Sequence, residues 1–176
     1  MAFTPLGYLN IGVIEITFLM IPVAIGAMKM GPAAGGLLGG VFGLTSFAQC
    51  FLKPTLFSAA LLGISPVYTF VMCMVPRILA GILVALIFRV LTKNEEPILV
   101  GIGVASWSAA ALNTVLFIGF FLLLFGSTDF VREMQGGTSM LVFIGGFIGL
   151  NGIVEMVVST LAGTLIGKAL DSAHLL

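Results

Sequence analysis

Charge is what this chain has least of. Lys, Arg, Asp and Glu make up 8% of its 176 residues and cancel to a formal net charge of zero, which excludes a broad basic surface for nucleic acid and any long acidic or basic tail. Histidine occurs once, as His174 near the end of the chain, and cysteine twice, as Cys50 and Cys73, well apart in apolar sequence and forming no metal-ligand pair by spacing. Metal chemistry has little to work with. An enzyme is disfavoured for the same reason, because the sequence offers no Ser/His/Asp set, no paired acids near water and no His-rich site. Nor does the glycine-rich run "GPAAGGLLGGVFG" at 31–43 form a phosphate loop, since the Gly-Lys-Ser/Thr ending of a Walker motif does not follow.

Apolar residues are what is present. They make up 60% of the chain, in long stretches without Asp, Glu, Lys or Arg, so residues 1–176 read as a single transmembrane domain, an all-α integral membrane bundle. About five helical spans are expected, near residues 11–28, 32–52, 67–91, 98–125 and 139–166. Lys29-Met30-Gly31-Pro32 reads as a tight turn, 93–97 as a short polar loop, and 126–138 as a longer one holding Asp129, Arg132 and Glu133. Residues 53–66 are too few to span and too apolar for an ordinary linker, so they are expected along the membrane surface or folded over the helix ends.

Cytoplasmic loops retain Lys and Arg. Lys29, Arg89, Lys93 and Lys168 fall on one side against Lys53 and Arg132 on the other, which places the 93–96 loop and the C-terminus inside the cell and 53–66 and 126–138 outside. Five spans then put the N-terminus outside, although Met1 to Tyr8 has no basic signal start and no cleavage site. Two readings follow: the small charge margin misassigns the sides, or a helix precedes Met1.

Gly31, Gly35, Gly39 and Gly43 recur every fourth residue, with Gly36 and Gly40 beside them. In lipid there is little hydrophobic drive between helices, and such a smooth flank supplies contact area by letting backbones approach. The strip is expected to pack against another helix of this chain, or in part against another membrane protein.

Ionisable residues inside spans are costly and by default functional. Glu15, Arg77 and Glu155 are in this position; Asn151, Glu155 and Ser159 form one polar stripe at i, i+4 and i+8, and Asn113 lies at comparable depth. Together Arg77, Asn113, Asn151, Glu155 and Glu15 are candidates to line a substrate cavity reached from outside. The competing reading is structural: Arg77 paired with an acid to hold helices together, the asparagines acting as interhelical hydrogen bonds, Glu15 simply hydrated near the interface. Trp107 is expected in core packing. A titrating Glu155 would suit a proton-coupled permease, but no internal repeat supports one.

Three runs carry a resemblance to a known family. "EITFLMIPVAIGAMKMGPAAGGLLGGVFGLTSF" resembles the second and third helices of the substrate-binding S components of energy-coupling factor (ECF) transporters, bacterial vitamin importers. "VPRILAGILVALIFRVL" and "NGIVEMVVSTLAGTLIGKAL" resemble their fourth and sixth helices. The resemblance implies a six-helix S component of the bacterial cell membrane that captures a vitamin outside. It would deliver the vitamin with a shared transmembrane T subunit and two ATPase subunits, toppling in the membrane to release it. ATP and Mg would then act in the partner subunits, with no cofactor in this chain. "MAFTPLGYL" resembles the end of the family's first helix and its outer loop, so no first-helix docking residues are carried over. Arg77 matches the Pro-Arg position of the fourth helix, and Asn151 and Glu155 match ligand-facing positions of the sixth.

One Arg against two acids suits a small ligand with at most one negative charge. The pattern is most similar to the pantothenate members, whose ligand offers one carboxylate to Arg77 and hydroxyl and amide groups to Asn151 and Glu155. A pyridoxine or hydroxymethylpyrimidine member is the close rival, and riboflavin is disfavoured because few aromatics are evident for ring stacking. An assembly subunit whose buried charges serve packing alone is the reading from a different class, and it binds no small molecule.

Overall fold

The computed structural model describes residues 8–11, 14–17, 20–93, 97–135 and 140–173, and side chains within 20–55, 57–93, 97–133 and 152–173. Seven helices lie among the described residues: α1 (Met20–Met30), α2 (Pro32–Leu52), α3 (Leu56–Ile64), α4 (Pro66–Lys93), α5 (Ile98–Phe125), α6 (Asp129–Gln135) and α7 (Met140–Ser172). A two-stranded antiparallel hairpin, β1 (Tyr8–Ile11) and β2 (Ile14–Thr17), precedes them. Helices α2, α4 and α5 and residues Gly152–Ser172 of α7 are each long and apolar enough to cross a membrane. At ~1.5 Å per residue α4 and α5 each reach about 42 Å, more than the ~30 Å hydrocarbon thickness. The helical membrane bundle expected from composition is therefore present.

One expected span is not a single helix. The stretch predicted as a span over 11–28 divides into the hairpin and α1, and α1 has only 11 residues. Pro22 explains the boundary. Proline is tolerated in a helix's first turn, but further extension toward the N-terminus would leave the carbonyl four residues before it without a donor. Upstream, Ile11, Val13, Ile14, Ile16 and Thr17 are β-branched, which favours extended backbone.

The turn at 29–32 forms as its sequence predicts. Gly31 has a φ of 89°, a left-handed conformation that glycine adopts without penalty, and Pro32 opens α2 at the position where its missing N–H costs nothing. Residues 53–66 fold over the helix ends. Thr55 and Ser58 form a reciprocal cap at the start of α3, Ser58 N donating to Thr55 Oγ1 at 3.1 Å and Thr55 N to Ser58 Oγ at 2.8 Å.

The glycine strip of α2 lies on the backbone of α4. A Cβ on Gly35 would meet the Gly81 carbonyl oxygen, one on Gly39 the Arg77 carbonyl oxygen, and one on Gly43 the Cys73 carbonyl oxygen at 2.8 Å. Each step of four along α2 thus matches a step of four back along α4, an antiparallel contact without side chains between the two backbones. Gly31 faces the Arg89 guanidinium instead, and Gly36 and Gly40 face Ile82 and Ile78 side chains.

Two apolar cores result. One joins Met20, Ala24, Ala27, Phe42, Ala80, Val84, Ile102, Ala105 and Ala109, toward the end of the bundle marked by Lys93. The other joins Leu61, Met72, Phe121, Phe125 and Val131 at the end marked by Lys53, with Phe57 of α3 against it. On α4 the gap between them falls between Met72 and Ala80, and on α5 between Ala109 and Phe121. The polar residues collect in that gap.

Candidate functional site

Between the two cores lies a cavity of about 330 Å³, with Arg77 and Asn113 deep in its wall and Lys53, Thr55 and Ser58 at its rim. Its size is at the lower end of the range for small-molecule sites. Helices α2, α3, α4, α5 and α7 all contribute to the lining.

Arg77 is 9% exposed. A bare guanidinium at that depth would be costly, and its neighbour in sequence supplies part of the compensation. Pro76 sits inside α4 and has no N–H to give the carbonyl of Met72, four residues earlier. Arg77 Nη1 donates to that same carbonyl at 2.9 Å, so the hydrogen bond that proline removes from the helix is replaced by one that fixes the guanidinium. The rings of Phe117 and Phe42 flank it, their centroids 4.7 and 5.6 Å from Cζ, within cation–π range. The arginine is thereby aimed and held before any ligand arrives.

Asn113 is 7% exposed and lines the same cavity. Its Oδ1 is buried and accepts no hydrogen bond among the described residues, a desolvation cost of about 1–3 kcal/mol that a donor on a bound molecule would relieve. Ser106 Oγ is likewise buried without a partner among the described residues, but it lies against Gly163 in the α5–α7 contact and outside the cavity. Glu155, half-buried, reaches the cavity from α7 beside Gly152.

The structure thus brings together Arg77, Asn113 and Glu155. Asn151 is in α7 next to Gly152, and its side chain lies outside the described residues. The side chain of Glu15 does too. Its backbone belongs to β2, opposite Asn10, and β2 runs beside α7. Ser159, on the same stripe, is buried but does not line the cavity.

Several lining residues were not singled out by sequence reasoning. Phe42, Ser46, Gln49, Cys50 and Lys53 all line the cavity from α2, and their spacing of four, three, one and three keeps them on one helical face, the signal that could have found them. Lys53, read only as a topological charge, stands at the cavity rim. Cys50 and Cys73, well apart in sequence, line the same cavity, brought to it by the antiparallel α2–α4 contact. Trp107 is a second correction: it is 52% exposed, on the outside of α5 rather than in the core. Aromatics are also better represented than expected, Phe42, Phe57 and Phe117 all lining the cavity, although the first and third already flank Arg77.

Comparison with known proteins agrees with this architecture. Residues 1–166 match the family model described as ECF transporter, substrate-specific component. The chain is 29% identical over 169 residues to the pantothenic acid transporter PanT of Lactococcus lactis subsp. cremoris, covering 92% of this chain and 80% of that protein. It is 27% identical over 173 residues to the pantothenate transporter PanT of Leuconostoc mesenteroides subsp. mesenteroides, covering 94% and 81% respectively.

Proposed function

We propose, because this chain belongs to the family of ECF transporter substrate-specific components, that its cavity captures pantothenate for import. The observation that carries this reading is the pairing of a buried, pre-aimed cation with a buried acceptor in one cavity: Arg77, fixed by the Met72 carbonyl, and Asn113, whose Oδ1 awaits a donor. Pantothenate has one carboxylate for the guanidinium, and hydroxyl and amide donors for Asn113 Oδ1 and the Glu155 carboxylate. The names of both relatives point to the same vitamin. Pyridoxine and hydroxymethylpyrimidine bring no carboxylate to Arg77, and a flavin ring would compete with the guanidinium for Phe42 and Phe117.

The excess of Lys and Arg at the Lys93 end supports reading that end, and the C-terminus, as cytoplasmic in a bacterial cell. The cavity rim at Lys53 then faces outward. In this reading the chain is a multi-pass transport subunit that hydrolyses nothing itself. It works with a transmembrane T subunit and two ATPase subunits, which bind the ATP and Mg.

Thermal unfolding of the detergent-solubilised chain against a vitamin panel tests the assignment, since a ligand of the folded state raises apparent stability. Pantothenate should raise the unfolding temperature more than pyridoxine, hydroxymethylpyrimidine or riboflavin. Arg77→Met should abolish most of that shift, losing about 2–5 kcal/mol of binding, and Arg77→Lys should recover only part because it lacks the planar fork. An Arg77→Met chain that folds and binds pantothenate as tightly as the parent overturns the proposal.

A further inference from the structure

Depth in the cavity is graded along one face of α2. Phe42 is buried, Ser46 and Gln49 are half-buried, and Lys53, just past the last residue of the helix, is exposed. The inner end is closed on four helices. Lining stops at Phe42 on α2, Arg77 on α4, Asn113 on α5 and Glu155 on α7. One turn further in on each helix, Gly39 abuts the Arg77 carbonyl, Ala80 and Ala109 are buried, and Ser159 is buried outside the lining. A group added to whatever occupies this floor has no space to enter.

The other end leaves space. The Phe42 ring lies 5.6 Å from the Arg77 guanidinium, and Lys53 follows about three turns later, roughly 16 Å along the axis at ~1.5 Å per residue. Extended chains gain about 3.3–3.6 Å per three bonds, which makes pantothenate roughly 9–10 Å from carboxylate to primary hydroxyl. Anchored at Arg77, the vitamin ends near the level of Gln49, with the last turn before Lys53 unfilled. Charge decides which end goes inward. Coulomb attraction is stronger at a buried cation than at one in water, so a carboxylate gains more beside Arg77 than beside Lys53. The rim keeps a charge of its own: the sequence set one Arg against two acids, whereas the described lining holds two cations, Arg77 and Lys53, and one acid, Glu155.

We propose that the cavity takes its ligand carboxylate first and leaves the primary hydroxyl facing Lys53, so that it admits pantothenate esterified at that hydroxyl, the phosphate monoester above all, and rejects pantothenate amidated at the carboxylate. The amide loses its charge at the guanidinium and pushes a substituent into the closed floor. The phosphate projects into the unfilled turn, where Lys53 meets it as a point charge. Lys53 thereby sets specificity for the outer end of the ligand without touching the vitamin itself. This inference rests on the proposed function.

Isothermal titration of the full-length detergent-solubilised chain with three probes tests it: pantothenate, its phosphate monoester at the primary hydroxyl, and an N-alkyl amide of its carboxylate. The ester should bind within about tenfold of pantothenate, and the amide at least about 100-fold more weakly. Lys53→Gln should weaken the ester about threefold, as expected for an exposed ion pair, and remove the extra salt dependence of its binding. It should leave pantothenate unchanged, and Lys53→Arg should restore the ester. If pantothenate binds and the amide binds as tightly, or the ester is the rejected one, the orientation is overturned while the vitamin assignment stands. A Lys53→Gln chain that loses pantothenate as much as the ester overturns it too, by setting the carboxylate at the rim. A chain that binds none of the three overturns the proposed function and the orientation with it.

Discussion

At the scale of single residues, the dipeptide Pro76-Arg77 shows how a helix defect can anchor a buried cation. Proline inside a helix costs a hydrogen bond and leaves a carbonyl to be satisfied; here that carbonyl belongs to Met72, and the arginine side chain satisfies it at 2.9 Å. Hydrogen bonds to charged groups are worth about 1.5–3 kcal/mol. Pro76→Ala should return the Met72 carbonyl to a backbone N–H, releasing the guanidinium from its anchor while improving the helix. The expected outcome is a dissociation in direction: unfolding temperature equal to or above that of the parent, and pantothenate affinity lower by about tenfold, or 1.4 kcal/mol. Isothermal titration beside thermal unfolding reads both. Unchanged affinity in a stabilised variant would show that Arg77 is positioned by something other than the Met72 carbonyl.

At the scale of helices, α2 and α4 approach so closely that the contact itself carries part of the site. The Gly39 position abuts the carbonyl oxygen of Arg77, so a methyl group there has to move the backbone of the residue proposed to hold the ligand. Gly39→Ala should therefore lower stability by about 1–3 kcal/mol through overpacking and lower ligand affinity as well. Gly119→Ala is the control, because nothing lies within 4 Å of an added Cβ there and alanine is the better helix former by about 1 kcal/mol. Thermal unfolding of the two variants side by side checks the contrast, and equal stability would mean the helices can part at little cost. This scale also shows what was legible in the sequence. The glycine spacing announced the close contact, and intramembrane charge announced Arg77 and Glu155, since both signals lie within one helix. What escaped notice depended on partners distant in sequence: Cys50 and Cys73 lining one cavity, and Lys53 at its rim. The division of residues 11–28 escaped for a different reason, because hydropathy alone does not distinguish β-branched extended backbone from helix, and Pro22 had to be weighed as a boundary.

At the scale of the molecule, the cavity has a rim at the Lys53 end, while the opposite end is filled. Ala80, Val84, Ile102 and Ala105 are each fully buried between Arg77 and the Lys93 end, in a core built from small side chains and close helix contacts. Packing of this kind is bistable rather than compliant, so a ligand at Arg77 does not reach the far side by side-chain rearrangement. On the proposed function, release requires whole helices, or the whole bundle, to move, and the sequence has no Walker motif to drive such a movement. Binding and transport should then separate cleanly. The purified chain alone should bind pantothenate without ATP, and vesicles containing only this chain should accumulate none. Vesicles that also contain a T subunit and two ATPase subunits should accumulate it when ATP is supplied, and should keep doing so when a protonophore collapses the proton gradient. Uptake by the chain alone that the protonophore abolishes would instead make Glu155 a titrating coupling group and the protein a proton-driven permease.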